Sequence, residues 1–354
     1  MPEQKRCLSG IQRTSQQMTD TVNFEPGEGL LALAAESRFG ARVVFNEPLA
    51  KHCSLRIGGP AAVWAEVETA EELVELARAG EAEGLELTIA GLGSNTLFPD
   101  EGIRGIVARL TGELAAFEIA AEADDDTAVM RIGAGAVNAH VVRALHKGGW
   151  VGAEFLALIP GTFGGAVVMN AGTKEAELSE VLLDVDVLEP DGAGGYRRST
   201  WEPAKLGLSY RHSEVSDDVL VLGGRIRIRR GDVDEARQAV RRDKARRNRT
   251  QPYKLASVGS TFANPKGDYA GRVIEEVGLK GHAIGGARIS ELHANFFINE
   301  NGATAADFLE LMALARSRVR HRFGLELRPE VRFVGFDGFK RMLEYERRLE
   351  EQGC

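Results

Sequence analysis

The feature best suited to chemistry in this 354-residue chain is a glycine-rich turn that ends in two polar side chains. Residues 85–90 alternate as a strand and lead directly into residues 91–95, GLGSN. Consecutive N–H groups in such a turn form a concave nest for an anion, and Ser94 and Asn95 add side-chain donors. Pro99 follows too soon for the helix that a Rossmann fingerprint requires. The turn therefore predicts a phosphate-binding loop outside the Rossmann class.

A second glycine-rich segment is the uncharged run at 155–173, FLALIPGTFGGAVVMNAGT. A hydropathy window would mark it as a membrane span, but Pro160 and four glycines would break such a helix, and Asn170 would lie unpaired in lipid. Glycine makes up 41 of 354 residues, about 12%, against a usual share of about 7%. Because this segment holds four of them, we expect a buried glycine loop that lets backbone approach a ligand.

The charge pattern limits the partners. A net charge of −8 argues against a polyanion-binding chain. Residues 241–249 carry six Lys and Arg, which allows a nucleic-acid patch, a solvated helix end or attraction of phosphate-bearing small molecules. Acidic residues surround the run and no aromatic residues interleave with it, which favours the solvated helix end. We expect neither nucleic acid nor a membrane as a partner.

The metal-binding and redox residues are sparse. The three cysteines, Cys7, Cys53 and Cys354, are odd in number and share no metal-like spacing. The seven histidines are scattered and form no HExxH motif, so no metal site is predicted. The first 20 residues contain no apolar stretch typical of a secretion signal. These features predict a reducing, cytoplasmic location.

Strands and helices alternate without a strict order, which predicts an α+β fold. Thr69 with Glu72 is typical of a helix start that follows a strand at 62–67, and Gly80 is placed to end that helix. Thr304 and Asp307 mark the start of another helix, at 305–323. Further strands are predicted at 127–133, 181–188, 219–228, 295–299 and 331–334, and further helices at 137–147, 232–247 and 269–277.

Several motifs in this order resemble one enzyme family. They are 48–52 (PLAKH), 56–60 (RIGGP), 91–95 (GLGSN), 159–166 (IPGTFGGA), 169–172 (MNAG), 210–213 (YRHS), 259–265 (GSTFANP), 270–286, 293–296 (HANF) and 329–332 (PEVR). The chain resembles the UDP-N-acetylenolpyruvoylglucosamine reductases over roughly residues 45–336. The resemblance implies a two-subdomain FAD-binding module of the vanillyl-alcohol-oxidase type and a C-terminal α+β domain that binds substrate.

The resemblance also implies domain boundaries. They are an N-terminal extension at 1–42, FAD-binding subdomains at 43–110 and 111–250, a substrate-binding domain at 251–338 and a charged, helical tail at 339–354. No Tyr-bearing loop is inserted between Gly224 and Gln251, which resembles the subclass that lacks this loop.

The resemblance also implies the reaction. The family uses NADPH to reduce UDP-N-acetylglucosamine enolpyruvate to UDP-N-acetylmuramate, a peptidoglycan precursor, with hydride passing from N5 of a bound FAD to the vinyl ether. Arg211 corresponds to the residue that grips the substrate carboxylate, and Ser260 to the donor that protonates the carbanion. Glu330 corresponds to a carboxyl group that assists as a protonated acid or through water. Asn264 is expected to help hold the nucleotide-sugar phosphates.

The FAD-binding residues implied by the motifs fall into two groups. Gly91, Gly93, Ser94 and Asn95 are expected to form the pyrophosphate cradle, and Pro160, Gly161, Thr162, Gly164 and Gly165 are expected to bring backbone close to the cofactor. His293 and Asn295 are typical of the family, and we expect structural roles for them.

The sequence departs from the family pattern at residues 173–176 (TKEA), which replace a commoner AYGG run, and at two further positions. Ala263 and Leu292 stand where members often have lysine, which bears on phosphate affinity. Two alternatives therefore accompany the reductase hypothesis. One is another FAD-dependent oxidase or dehydrogenase on the same module, and the other is a non-catalytic sensor of nucleotide sugars.

Overall fold

The computed structural model describes residues 21–122, 126–192 and 195–351. Within them the α-helices are α1 (Glu28–Ala35), α2 (Ala70–Glu81), α3 (Asn138–Lys147), α4 (Phe163–Val168), α5 (Val233–Thr250), α6 (Ala270–Glu276), α7 (Ala305–Phe323) and α8 (Gly338–Glu351). The strands are β1 (Val43–Pro48), β2 (Pro60–Val67), β3 (Glu86–Ile89), β4 (Thr96–Leu97), β5 (Ile103–Leu110), β6 (Phe117–Glu122), β7 (Thr127–Gly133), β8 (Trp150–Val151), β9 (Leu182–Pro190), β10 (Tyr196–Trp201), β11 (Leu220–Arg230), β12 (Ala256–Ser260), β13 (Ala283–Ile284), β14 (Ala287–Ile289), β15 (Phe296–Asn299) and β16 (Arg332–Phe333).

The first sheet has the strand order β1-β2-β5-β3. β1 is antiparallel to β2, whereas β2 and β3 both run parallel to β5. The helix α2 begins as predicted, since the Thr69 hydroxyl accepts a 3.2 Å hydrogen bond from the backbone N–H of Glu72. It ends at Glu81, one residue beyond Gly80. The carboxyl end of β3 leads into the glycine turn at 91–95.

The second sheet is antiparallel, with the order β10-β9-β11-β7-β6 and with β8 paired to β11. β11 passes directly into α5 after Gly231 and Asp232, so no loop is inserted there. The Asp232 side chain caps α5 by accepting hydrogen bonds from two backbone N–H groups. The sequence interpretation missed β6, β8 and β10 of this sheet, and also β1, β4, β5, β12, β13 and β14 elsewhere.

The third sheet, β12-β15-β14-β13, is antiparallel and packs against α7. Thr304 and Asp307 form the predicted capping box at the start of α7. The short strand β16 pairs in parallel with β4, with Arg332 opposite Thr96. This pairing joins the C-terminal part of the chain to the segment that follows the glycine turn.

Two hydrophobic cores lie on opposite sides of the first sheet. Val63 belongs to the core shared with the second sheet, while the next residue, Trp64, belongs to the core that contains Phe308 of α7. Side chains alternate between the faces of a strand, so β2 serves both cores. The first sheet is therefore the central layer, and its strand ends lie where the other two units meet.

The predicted glycine loop contains a short helix, which is a correction. Residues Phe163–Val168 form α4. An added Cβ at Gly164 would lie only 2.8 Å from the Cβ of Ala134, so the missing side chain lets this helix pack on the end of β7. The segment is not a membrane span, and no helix of the described residues is long and apolar enough to cross a bilayer. Asn170 is buried and donates hydrogen bonds to Glu177 and to the carbonyl of Ser209.

The two ends of the chain pack more closely than expected. The helix α8 covers most of the predicted charged tail and buries Met342 and Leu349 against α7. Glu346 of α8 is buried and accepts a hydrogen bond from Arg316. Near the N-terminus, α1 buries Leu30 in the core that the first sheet shares with the second sheet. Residues 1–20 and 352–354 of the predicted extension and tail lie outside the described residues.

Candidate active site

A cavity of about 810 Å³ lies where the first sheet, the second sheet and the C-terminal unit meet. Its walls include every residue predicted to hold FAD and all three predicted catalytic side chains: Gly91, Gly93, Ser94, Asn95, Pro160, Gly161, Thr162, Gly164, Gly165, Arg211, Ser260 and Glu330. The sequence motifs, which span 240 positions, therefore converge on one space large enough for a drug-sized ligand or more.

The turn at 91–95 presents the nest that the sequence predicts. Among the described residues, no acceptor takes a hydrogen bond from any of its five backbone N–H groups. Gly93 has a left-handed φ of +59°, and an added Cβ would lie 2.6 Å from the Cα of Cys53. Only glycine fits there, so the turn can keep the backbone conformation that leaves its N–H groups without protein partners. These free donors match the needs of a bound diphosphate.

The second glycine segment is fastened to the first. The Ser94 hydroxyl donates a 2.7 Å hydrogen bond to the carbonyl of Pro160. An added Cβ at Gly91 would lie 2.7 Å from the Thr162 hydroxyl, so the Thr162 side chain packs directly on the Gly91 backbone. At Gly165, in contrast, the nearest atom to an added Cβ is the Thr162 hydroxyl at 3.8 Å. Gly165 therefore leaves open space on the cavity wall, where a cofactor can approach the backbone.

Arg211 lies in a strained, tightly closed turn. Ser209 and His212 exchange two backbone hydrogen bonds of 3.0 and 3.1 Å across it. Arg211 has a left-handed φ of +54°, which is uncommon for residues other than glycine. Its Nη2 donates a 2.7 Å hydrogen bond to the carbonyl of Gly172, and its Nε lies 3.3 Å from Oε1 of Glu330. These contacts hold the guanidinium at the cavity wall.

Glu330 carries a largely buried carboxyl group beside that guanidinium. Burial raises the pKa of Glu330 to about 7, although the positive charge of Arg211 acts in the opposite direction. The backbone N–H of Glu330 donates to the carbonyl of Thr261 at 2.9 Å. Its own carbonyl accepts a 2.9 Å hydrogen bond from Nδ2 of Asn95. Asn95 thus uses its side chain to hold the Glu330 segment, a role that its motif does not reveal.

Ser260 ends β12 opposite Phe296 of β15. Gly259 before it has a left-handed φ of +78°, and the strand register shifts between Ser257 and Ser260. Such an irregularity re-aims a side chain at the end of a strand. In the described part of the chain, no hydrogen bond engages the Ser260 hydroxyl. That hydroxyl is therefore available to a ligand in the cavity.

Asn264 is not brought to the cavity wall. Its side chain is exposed, and its Oδ1 accepts a 3.0 Å hydrogen bond from the backbone N–H of Ala270 at the start of α6. His293 and Asn295 have the structural roles that we expected. Nδ1 of His293 accepts from the N–H of Asn295, whose amide bonds to both backbone groups of Phe262.

Sequence reasoning missed two arginines of the cavity wall. Arg247 belongs to the basic run, but it donates hydrogen bonds to the carbonyl of Leu158 at 2.7 Å and to the Tyr253 hydroxyl at 3.4 Å. Arg109 of β5 stacks 4.9 Å over Trp64, its Nε has no hydrogen-bond partner, and burial lowers its pKa. The alternation of residues 103–110 could have placed Arg109 on the ligand side if β5 had been recognised.

Metal-binding groups are sparse as well. Within the described ranges, no group of three or more His, Cys, Asp or Glu residues is arranged to hold a metal ion. Cys53 is a buried free thiol whose pKa is raised by burial. Its Sγ donates to the carbonyl of Ile57 beside the glycine turn.

Comparisons with known proteins agree with this geometry. A family model described as "UDP-N-acetylenolpyruvoylglucosamine reductase, C-terminal domain" matches residues 251–334, and one described as "FAD binding domain" matches residues 60–193. The chain is 43% identical over 310 residues to a UDP-N-acetylenolpyruvoylglucosamine reductase of Anaeromyxobacter sp. (strain Fw109-5), covering 88% of this chain and 94% of that protein. It is 41% identical over 305 residues to that of Myxococcus xanthus (strain DK1622), covering 86% and 96%.

A solved structure is similar over nearly its whole length. The crystal structure of UDP-N-acetylenolpyruvylglucosamine reductase from Thermus caldophilus aligns with a TM-score of 0.68 and 34% identity, covering 83% of this chain and 99% of that one. Both glycine segments of the cavity lie inside the matched FAD-binding domain. The α+β fold class and the FAD-binding module are thereby confirmed, and the chain belongs to the UDP-N-acetylenolpyruvoylglucosamine reductase family.

Proposed function

We propose that this protein is an FAD-containing reductase that uses NADPH to convert UDP-N-acetylglucosamine enolpyruvate into UDP-N-acetylmuramate, a cytoplasmic step of peptidoglycan precursor synthesis. The observation that carries the proposal is the convergence of Arg211, Ser260 and Glu330 on the cavity that also contains the anion-binding nest. The names of the relatives in several bacteria support the same substrate.

The cavity fits FAD by its donors and by its open backbone. The free N–H groups of residues 91–95 suit the pyrophosphate, and Gly165 allows close approach on the facing segment. When bound, the flavin supplies to the substrate the hydride that it takes from NADPH. The protein itself provides orientation, fixed charge and the proton.

Arg211 is suited to the substrate carboxylate. Reduction of the vinyl ether places negative charge on the α-carbon and its carboxylate, and a fixed guanidinium lowers the energy of that charge. Because Gly172 and Glu330 already hold two sides of the Arg211 guanidinium, its remaining N–H groups need no reorganisation to bind a carboxylate. The left-handed turn thereby serves orientation.

Glu330 and Ser260 have different roles in stabilising and protonating the enolate. With a pKa near 7, Glu330 holds a proton in about half of the molecules at neutral pH, and its neutral form can donate a hydrogen bond to the developing enolate. A serine hydroxyl is a weak acid, so Ser260 can protonate only a strongly basic carbon, and an enolate is one. The Ser260 hydroxyl has no partner in the described chain that would compete with this role.

Two alternatives make different predictions. An FAD-dependent oxidase or dehydrogenase on the same module would not need the combination of Arg211, Ser260 and Glu330. A non-catalytic nucleotide-sugar sensor is favoured by the absence of lysine at Ala263 and Leu292. The cavity favours the reductase over both, because it contains the complete catalytic combination.

Steady-state kinetics separate the three functions. We expect NADPH oxidation that depends on the enolpyruvyl nucleotide sugar and yields one UDP-N-acetylmuramate per NADPH. Peroxide formation from an alcohol, without such NADPH oxidation, would favour the oxidase. Binding of the nucleotide sugar by protein that carries no FAD would favour the sensor.

A further inference from the structure

Arg328 links the C-terminal unit to the turn that carries Arg211. Its Nη2 donates a 3.0 Å hydrogen bond to the carbonyl of Tyr210, and its Nη1 donates a 3.4 Å hydrogen bond to the carbonyl of Arg211. These are consecutive carbonyls of a strained turn, more than 100 residues away in the sequence. The sequence motifs around Tyr210 and Glu330 do not include Arg328.

We infer that Arg328 is a positioning residue, which holds the Tyr210–Arg211 backbone so that the Arg211 guanidinium meets the substrate carboxylate. The inference rests on the proposed function and adds a residue that touches neither the substrate nor the cofactor. A residue of the C-terminal unit thereby holds the turn that carries Arg211.

The turn needs an outside support. A left-handed residue other than glycine persists only when its surroundings hold it in place. The two hydrogen bonds between Ser209 and His212 close the turn from inside. The carbonyls of Tyr210 and Arg211 take no part in that pairing, and the planar fork of Arg328 donates to both. A lysine would reach only one of them at a time.

The other end of Arg328 is anchored in the active site. The carbonyl of Arg328 accepts a 2.9 Å hydrogen bond from the N–H of Ala263, and the N–H of Glu330 donates to the carbonyl of Thr261. Thr261 directly follows Ser260, so this ladder fixes the segment of the proton donor. One short stretch of chain therefore connects Glu330, the Ser260 segment and the Arg211 turn.

Charge gives the second effect of Arg328. Burial raises the pKa of Glu330, while the positive charges of Arg211 and Arg328 lower it. Nearby, Arg332 is paired with Asp217 at 2.8 Å. Loss of the Arg328 charge should therefore move the limb of the pH profile that Glu330 governs to higher pH.

Two substitutions separate geometry from charge in the full-length FAD enzyme. Arg328→Gln removes the charge and the two-armed fork, whereas Arg328→Lys keeps the charge. We expect Arg328→Gln to lower kcat/KM for the enolpyruvyl nucleotide sugar at least about tenfold, since displacements near 1 Å can cost more than that. Flavin bleaching by NADPH should change less than about twofold. Arg328→Lys should lose a similar factor in kcat/KM while keeping the wild-type pH limb.

Arg322→Gln is the matched control, because Arg322 is an exposed arginine of α7 without an ion pair among the described residues. The inference is overturned if Arg328→Gln matches this control, if bleaching and reoxidation of the flavin fall equally, or if Arg328→Lys alone behaves as wild type in kcat/KM. If Arg328→Gln does not fold, Arg328→Lys decides by the same kcat/KM criterion. A wild-type protein without substrate-dependent NADPH oxidation would instead contradict the proposed function.

Discussion

Replacing Glu330 by glutamine should stabilise the protein at alkaline pH, even though it removes a catalytic group. Glutamine resembles the protonated carboxyl group in size and cannot ionise. In the folded protein, the pKa of Glu330 is raised to about 7 from its ordinary 4.5. The folded state therefore binds this proton more tightly than the unfolded state, and stability falls as pH rises through the window from 4.5 to 7.

The size of the effect follows from the shift. The difference between the two pKa values, at about 1.36 kcal/mol per unit, corresponds to about 3 kcal/mol. The side chain of Glu330 is 18% exposed, so water screens little of this cost. Below pH 4.5 both states are protonated, and the wild type and Glu330→Gln should differ only by the altered contact with Arg211. Above pH 8, Glu330→Gln should gain about 3 kcal/mol relative to that baseline.

Urea unfolding of both proteins from below pH 4.5 up to pH 9, at one fixed FAD concentration, measures this double difference. The comparison cancels the pH dependence of every other group, because only residue 330 changes. Parallel pH profiles would refute the reasoning, since they would mean that Glu330 titrates near its ordinary value. A gain for Glu330→Gln at acidic pH that disappears at alkaline pH would refute its sign.

Three further substitutions test the site. Ser260→Ala should leave flavin bleaching by NADPH nearly intact but slow reoxidation by the nucleotide sugar at least about a hundredfold. Stopped-flow absorbance measures both rates. An equal loss in both half-reactions would show that Ser260 is not the proton donor. Gly165→Val should keep the thermal midpoint within a few degrees but weaken FAD binding at least about tenfold, because the new side chain enters the cavity and not the protein core. Gly93→Ala should lower the thermal midpoint and the FAD content together, because the new Cβ has no space and the φ of residue 93 is left-handed. The control Gly84→Ala has a left-handed φ but open space around its Cβ, and it should cost only about 1 kcal/mol of stability. Unchanged FAD binding in Gly165→Val would contradict the placement of the cofactor.

Local chemistry was readable from the sequence. The turn at 91–95 could be recognised from neighbouring residues, since glycines and polar donors directly after a strand leave several N–H groups without protein partners. Helix caps such as Thr69 and Thr304 are local for the same reason. The two caps were predicted correctly because no distant contact decides them.

Distant contacts decided the rest. The amide of Asn95, a residue predicted to bind cofactor, also holds the carbonyl of Glu330, 235 residues away, and its motif does not reveal this contact. The helix α4 was not predicted because glycines oppose helix formation by themselves, whereas Gly164 is required there by its close contact with Ala134. In both cases the deciding contact is with a residue distant in the sequence.

An anaerobic titration of the purified protein tests the central claim most directly. We expect an absorbance spectrum typical of bound FAD, bleaching by one equivalent of NADPH, and recovery of the oxidised spectrum on addition of one equivalent of UDP-N-acetylglucosamine enolpyruvate. Bleached flavin that stays reduced with the nucleotide sugar but recovers with oxygen would contradict the account.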